Sequence, residues 1–144
     1  MQIRQATNDD LGFVIETFLR SFRSASTHAE GASNNQIVGA MQRLRLGGWL
    51  TCVAESEGYL QGWAVYGGPG ASFDVRDPGF KINANHLAWI YVRDMFRGEA
   101  FKPHVAKTIL RWAMIDTEKR IVTPFLPNRT KGNWKFVHRP FLVI

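Results

Sequence analysis

The sequence is sparing with the residues that build recognisable chemical sites. Its single cysteine, Cys52, cannot form an internal disulfide, and with only four histidines, scattered along the chain, no metal-ligand spacing arises. Cys52 lies in the apolar run Leu50-Thr51-Cys52-Val53-Ala54, which reads as the setting of a buried structural thiol rather than a nucleophile. No apolar run approaches the roughly 18 residues a membrane helix needs, and the first residues show no cationic-then-apolar leader pattern. A cytoplasmic protein is the simplest expectation. There is no Gly-x-Ser-x-Gly elbow, no P-loop and no dinucleotide fingerprint. Nor is there an internal repeat, a low-complexity tract or a linker long enough to divide the chain, so residues 1–144 are expected to form one domain.

Bulky apolar material is plentiful. Apolar residues make up 45% of the 144, with five Trp and ten Phe, which is enough for a core. The net charge of +6 favours acidic partners, whether nucleic acid, a phosphorylated cofactor or an acidic protein surface, without choosing among them. The basic residues gather locally at Arg43/Arg45, Arg93/Arg97/Lys102, Lys119/Arg120 and Arg129/Lys131/Lys135. Any one such cluster is most simply a solvated surface.

The order of elements follows from periodicity. Gln2–Ala6 alternates as a short strand. Thr7 is a good N-cap, and the acidic start at Asp9 and Asp10 suits a helix N-terminus. Leu11, Val14, Ile15, Phe18, Leu19 and Phe22 then recur at helical spacing, predicting a helix from about Asp9 to Ser24. A second helix fits Asn35–Leu46, with Ile37, Met41 and Leu44 on one face and Gly47-Gly48 as its stop. Trp49–Glu55 and Tyr59–Tyr66 flank Ser56-Glu57-Gly58 as an antiparallel hairpin, and Gly62 inside its second strand marks a bulge or a close backbone approach. Residues 71–85 read as an irregular loop or a weak strand at Ser72–Val75, with Asp74, Arg76 and Asp77 at its surface.

The chain is organised around His86–Ala113. An apolar strand, Leu87-Ala88-Trp89-Ile90-Tyr91-Val92, runs through a charged loop, Arg93–Glu99, into a helix with Val105, Ile109, Trp112 and Ala113 on one face. Pro103 suits that helix's first turn. A strand turning through a tight loop into a helix points unpaired helix amides at the loop and makes a natural anion site. Ile121-Val122-Thr123 follows as a strand parallel to the central one. Trp134–His138 and Phe141–Ile144, parted by Arg139-Pro140, form the last apolar segments.

These residues resemble the acetyl-CoA signature of the GNAT acyltransferase superfamily. In that signature an apolar strand ending in Val is followed by Arg/Gln-x-x-Gly-x-Gly/Ala opening a helix. Val92 and Arg97-Gly98-Glu99-Ala100-Phe101-Lys102 carry the match, with Ala100 and Lys102 at the two family glycine positions. Ile3-Arg4-Gln5-Ala6-Thr7 before an acidic helix start is similar to the opening of many GNAT chains. The resemblance covers about Met1 to Thr123. It implies a mixed α/β (α+β) fold with a mostly antiparallel central sheet flanked by helices, here with an abbreviated C-terminal end. It also implies a sheet that splays beside Val92, and acetyl-CoA held by Tyr91, Val92, Arg97, Gly98, Glu99, Ala100, Phe101 and Lys102, with the Val92 amide facing the thioester oxygen. The family's helix and tyrosine acid after the fifth strand have no counterpart, since the last tyrosine is Tyr91.

Acyl transfer to an amine also needs a proton acceptor. The sequence offers Glu55, His86, Tyr91, Asp94, Glu99 and His138, with Tyr91, His86 and Glu99 as catalytic candidates and none in a specific constellation. The first reading is therefore acetyl-CoA-dependent transfer to an amine of a small molecule or protein. A second is a GNAT-like protein without catalysis, of the kind a phage uses to grip a host enzyme, with Trp49, Trp63, Trp89 or Trp134 as anchors if exposed. A third is nucleic-acid binding or modification, which the positive charge permits although no base-reading module is present. A short final strand would also suit pairing with a second copy.

Overall fold

The computed structural model describes residues 1–25, 33–46, 49–67, 85–98, 104–113, 120–123 and 135–138. In chain order these form β1 (Gln2–Gln5), a 3-10 turn (Asn8–Asp10), α1 (Leu11–Ala25), α2 (Asn34–Leu46), β2 (Leu50–Ser56) and β3 (Tyr59–Gly67). Next come β4 (Asn85–Val92), a second 3-10 turn (Asp94–Phe96), α3 (Val105–Ala113), β5 (Arg120–Thr123) and β6 (Lys135–His138). The six strands make one sheet in sequence order. The first four are antiparallel, β5 runs parallel to β4, and β6 runs parallel to β5. The β4–α3–β5 crossover is the step the central stretch predicts. The segments around Ser72–Val75, at Trp134 and at Phe141–Ile144 lie outside the described residues.

The first helix departs from expectation at its start. The α-helix begins at Leu11, not Asp9, because a 3-10 turn precedes it. Within that turn the Asp10 carboxylate bends back to accept the Thr7 N–H at 2.7 Å. Arg4 then grips Asp10 through two bonds of 2.7 and 3.0 Å and reaches Glu55 on β2 at 2.8 Å. That grip holds the Asp10 carboxyl below its usual range and the Arg4 guanidinium above its own. The helix entry is thus fastened to the sheet by charge as well as by packing.

Both faces of the sheet are covered. On one, Val14, Phe18, Ile37, Trp49, Val53, Trp63, Val65 and Ala88 form a core under α1 and α2. Two indoles on this face find partners on α1, as buried polar atoms must. Trp63 donates to the Thr17 hydroxyl at 2.7 Å, and Trp89 donates to the Ser21 hydroxyl at 3.0 Å. The buried Thr17 is a polar residue that hydrophobic periodicity passes over. Trp49 and Trp63 are buried and Trp89 is half-buried, so these three are core, not exposed anchors.

On the other face, Cys52, Ala54, Ala64, Tyr66, Leu87 and Val92 meet Val105, Ile109 and Leu110 of α3. The assignment of Trp112 to this buried stripe is corrected. The buried arc runs from Val105 through Ile109 to Leu110, and Trp112 stands at its rim, 39% exposed, edge-on to Tyr66 at 6.2 Å. Cys52 is fully buried, and burial pushes its thiol up to about 12.

Two bulges shape the strands. Ala54 pairs with Gly62 while Glu55 pairs with Leu60, leaving Gln61 as the extra residue on β3. Val65 pairs with Trp89 while Tyr66 pairs with Leu87, leaving Ala88 extra on β4 and setting Ala88 and Trp89 on the same face. Gly62 lies against the end of β4. A Cβ there would meet the Tyr91 carbonyl oxygen at an impossible separation and the Val92 Cα at 3.2 Å, which is the close approach the sequence suggests.

Two outcomes follow. Gly62→Ala must force β3 and β4 apart, a cost of about 1–3 kcal/mol, and calorimetry should show the melting temperature falling by roughly 3–10 °C. An unchanged melting temperature would refute the close approach. Cys52 should stay unlabelled by a disulfide reagent in the native protein at pH 8, because its raised pKa keeps the thiol protonated there, and should react fully once the chain is unfolded. Rapid native labelling would contradict its burial.

Candidate functional site at the end of the central strand

The ladder between β3 and β4 fixes which backbone groups of β4 are free. Gly62 and Val92 are partners, and the Arg93 N–H donates to the Gln61 carbonyl at 2.9 Å. In an antiparallel pair that bond makes Gly62–Val92 a position where the two residues do not bond each other. The amide and carbonyl of Val92 therefore point away from β3, as do those of Ile90 two residues earlier. The Val92 carbonyl is accordingly taken up by a residue outside β3, accepting the Arg97 Nε–H at 2.5 Å.

On that side the parallel ladder to β5 joins only Asn85 to Ile121 and His86 to Val122. From Leu87 to Val92 the outer edge of β4 has no strand partner among the described residues. The sheet thus presents a row of backbone donors and acceptors ending at Val92, available to a ligand that carries amides or carbonyls.

The loop after Val92 closes through bonds from the Phe96 amide to the Arg93 carbonyl, at 2.9 Å, and from the Arg97 amide to the Asp94 carbonyl, at 3.1 Å. Gly98 has φ of +100°, a region that favours glycine. Arg97 is held by the chain itself. Besides the Val92 carbonyl it pairs with Asp94 at 2.7 Å, and its guanidinium lies over the Tyr91 ring at 5.4 Å from the centroid. Glu99, Ala100, Phe101 and Lys102 lie outside the described residues.

The helix beyond is described from Val105, and Pro103, expected in its first turn, lies outside the described residues. His104 caps it. Its carbonyl accepts the Thr108 amide at 3.0 Å and the Thr108 hydroxyl at 2.8 Å, and its Nδ1 takes the Lys107 amide at 3.4 Å. The first-turn amides are those of Val105, Ala106 and Lys107.

Among the base and acid candidates, two are already engaged. Glu55 is bound to Arg4 and separated from β4 by β3, and Asp94 is paired with Arg97. Tyr91 is half-buried, stacked on Trp63 at 6.2 Å and edge-on to Phe13 at 6.2 Å, and its hydroxyl bonds to none of the described residues. His86 and His138 have described backbones within β4 and β6, but their side chains, like all of Glu99, lie outside the described set. The structure thus gathers Tyr91, Val92, Arg97 and Gly98 at one strand end. Among the described residues no group of His, Cys, Asp and Glu could hold a metal ion, and no helix is long and apolar enough to cross a membrane.

Sequence reasoning missed Arg93. Its guanidinium packs on the rings of Phe13, at 4.5 Å, and Tyr59, at 4.6 Å, and its Nε–H donates to the Leu60 carbonyl at 2.7 Å. No local signal reveals this clamp, because its walls come from α1 and β3, far apart in the chain. Nearby, the side chain of the bulged Gln61 is buried with its Oε1 unbonded.

No family model and no curated protein matches the chain. Among solved structures, a GNAT family acetyltransferase from Brucella melitensis in complex with acetyl-CoA superposes with a TM-score of 0.53 at 17% identity, over 79% of this chain and 66% of that one. The chain thus spans slightly under two thirds of that protein's length. A ribosomal-protein-alanine N-acetyltransferase from Brucella melitensis gives a TM-score of 0.48 at 21% identity, over 78% and 67% of the two chains. The PaiA N-acetyltransferase of Thermoplasma acidophilum, in complex with coenzyme A, gives 0.46 at 18% identity, over 78% and 68%. The latter two superpose too loosely to bear on the fold. With its antiparallel first four strands, its β4–α3–β5 crossover and its likeness to the first of these structures, the chain has a GNAT-like fold.

Proposed function

We propose that this chain transfers an acetyl group from acetyl-CoA to an amine, with the end of β4 as the reaction site. The observation that carries the reading is the outward-facing amide of Val92 on an edge that no described strand covers. When bound, acetyl-CoA supplies an acetyl group activated as a thioester. The residues present fit it. The free groups of the β4 edge match an extended arm that contains amides. The first-turn amides of Val105 and Ala106 would be donors to its phosphates.

The Val92 N–H would donate to the carbonyl oxygen of the thioester, where negative charge grows as the amine nitrogen attacks. Sulfur would then leave with the electron pair of the carbon–sulfur bond, and the amine would pass its proton to water. Tyr91, whose hydroxyl has no protein partner among the described residues, is the candidate donor to the departing sulfur. Arg97 would turn from Asp94 toward phosphate. Both members of that pair are largely exposed, at 52% and 91%, and such a surface pair holds by only about 0–1 kcal/mol, so exchange is inexpensive. Glu99, Ala100, Phe101 and Lys102 complete the loop in this proposal. Among the described residues no observation favours the binding-only or nucleic-acid readings.

Acetyl-CoA at about 100 times its dissociation constant should stabilise the protein by roughly 2.7 kcal/mol, a rise of about 5–10 °C in melting temperature. Free CoA thiol should appear when amines are added, a colorimetric readout to which the buried Cys52 does not contribute. Arg97→Glu should abolish the thermal shift. A flat melting temperature up to about 5 mM acetyl-CoA, far above the usual binding range, would sink the reading.

A further inference from the structure

Among the described residues Arg4, Arg20 and Arg97 each face a carboxylate, whereas Arg93 and the helical Arg111 do not. The side-chain contacts of Arg93 there are the two aromatic rings and, at Nε, the Leu60 carbonyl. Neither terminal nitrogen bonds to any described residue. Two aromatic rings thus pack on the guanidinium and its Nε is tied, while its terminal N–H groups have no protein partner among the described residues. A planar fork of this kind matches the two oxygens of a carboxylate. An arginine normally gives up rotamer freedom to bind one, and here the clamp has already removed that freedom.

The clamp draws on three elements: Phe13 from α1, Tyr59 and Leu60 from β3, and the end of β4. Arg93 directly follows Val92, so its backbone stands at the same strand end as the amide assigned to the thioester. A cation needed only to staple α1 to the hairpin would have no use for an open planar edge.

We propose that Arg93 recognises a carboxylate on the acceptor, so that the amine acetylated is one that carries an acidic group close to its nitrogen. The assignment of that carboxylate to the acceptor rests on the acetyl-transfer reading; the binding of a carboxylate at Arg93 does not. The substrate class is then an amino acid or a chain whose first residues are acidic, rather than a polyamine or an aminoglycoside-like polycation.

The test uses glycyl-aspartate α-amide, its side-chain carboxyl free, and glycyl-asparagine amide, which differ only in that ionised side chain. Each is titrated into the full chain by isothermal calorimetry, without acetyl-CoA. The acidic peptide should bind at least about tenfold more tightly than its neutral partner, the worth of one charge-assisted bidentate contact. Arg93→Lys keeps the charge but loses the fork, and should abolish the preference. Tyr59→Ala, at an exposed position, opens the clamp and should weaken the preference without unfolding the protein. Equal affinity for the two peptides, or a preference that survives in Arg93→Lys, overturns the proposal.

Turnover separates the two readings. With acetyl-CoA, Arg93→Lys should raise KM for the acidic acceptor and leave kcat near the wild-type value. If the acidic peptide binds through Arg93 but no acetyl-CoA is bound or consumed, the carboxylate site stands and the transferase reading fails. If both peptides are acetylated with one KM, the transferase reading stands and the carboxylate site falls.

Discussion

The close approach of β3 to β4 at Gly62 governs the rest of the site. With no side chain between them, the Gly62 backbone lies against the Tyr91 carbonyl and the Val92 Cα. That contact belongs to a ladder whose phase is set by one bond, from the Arg93 amide to the Gln61 carbonyl. Shift the phase by one residue and Val92 would turn its amide inward to β3, leaving the side of Val92 that faces α3 with a different set of neighbours. The extra residue at Gln61 absorbs the mismatch between this phase and that of the β2–β3 hairpin. One bulge and one glycine thereby decide which peptide group is offered to a ligand.

The charges at the strand end are arranged with similar economy. Arg4 is consumed in fastening the helix entry to Asp10 and Glu55, which takes Glu55 out of consideration as a free base. Arg97 is parked on the Val92 carbonyl and the exposed Asp94. Arg93 alone of these three combines a rigid seat with an unfilled edge. The aromatic content of the chain has a local purpose here, because Phe13, Tyr59 and Tyr91 provide the surfaces on which the two loop arginines lie.

Much of this architecture was legible in the residues. Helical spacing located α1 and α2 closely, the Glu57-Gly58 turn announced the hairpin, and an apolar strand followed by a charged loop and an amphipathic helix announced β4, α3 and the parallel β5. Gly62 stood out as a glycine inside a strand. What stayed hidden depends on pairing across long sequence separation. Thr17 is buried because Trp63, on another element, needs an acceptor. Trp112 lies at the rim because α3 presents Leu110 to the sheet instead. The bulge at Ala88 leaves no mark on an unbroken apolar run. Arg93 looked like one more loop cation, since nothing near it in the chain foretells its contacts with Phe13 and Tyr59.

The central claim is that the Val92 amide is free while its neighbour Tyr91 is committed to the β3 ladder. Amide hydrogen exchange resolved residue by residue measures this directly. The Val92 amide should exchange about 100-fold faster than that of Tyr91 in the unliganded protein, and acetyl-CoA should close most of that difference. Equal protection of Val92 and Tyr91 without ligand would contradict the account at its root.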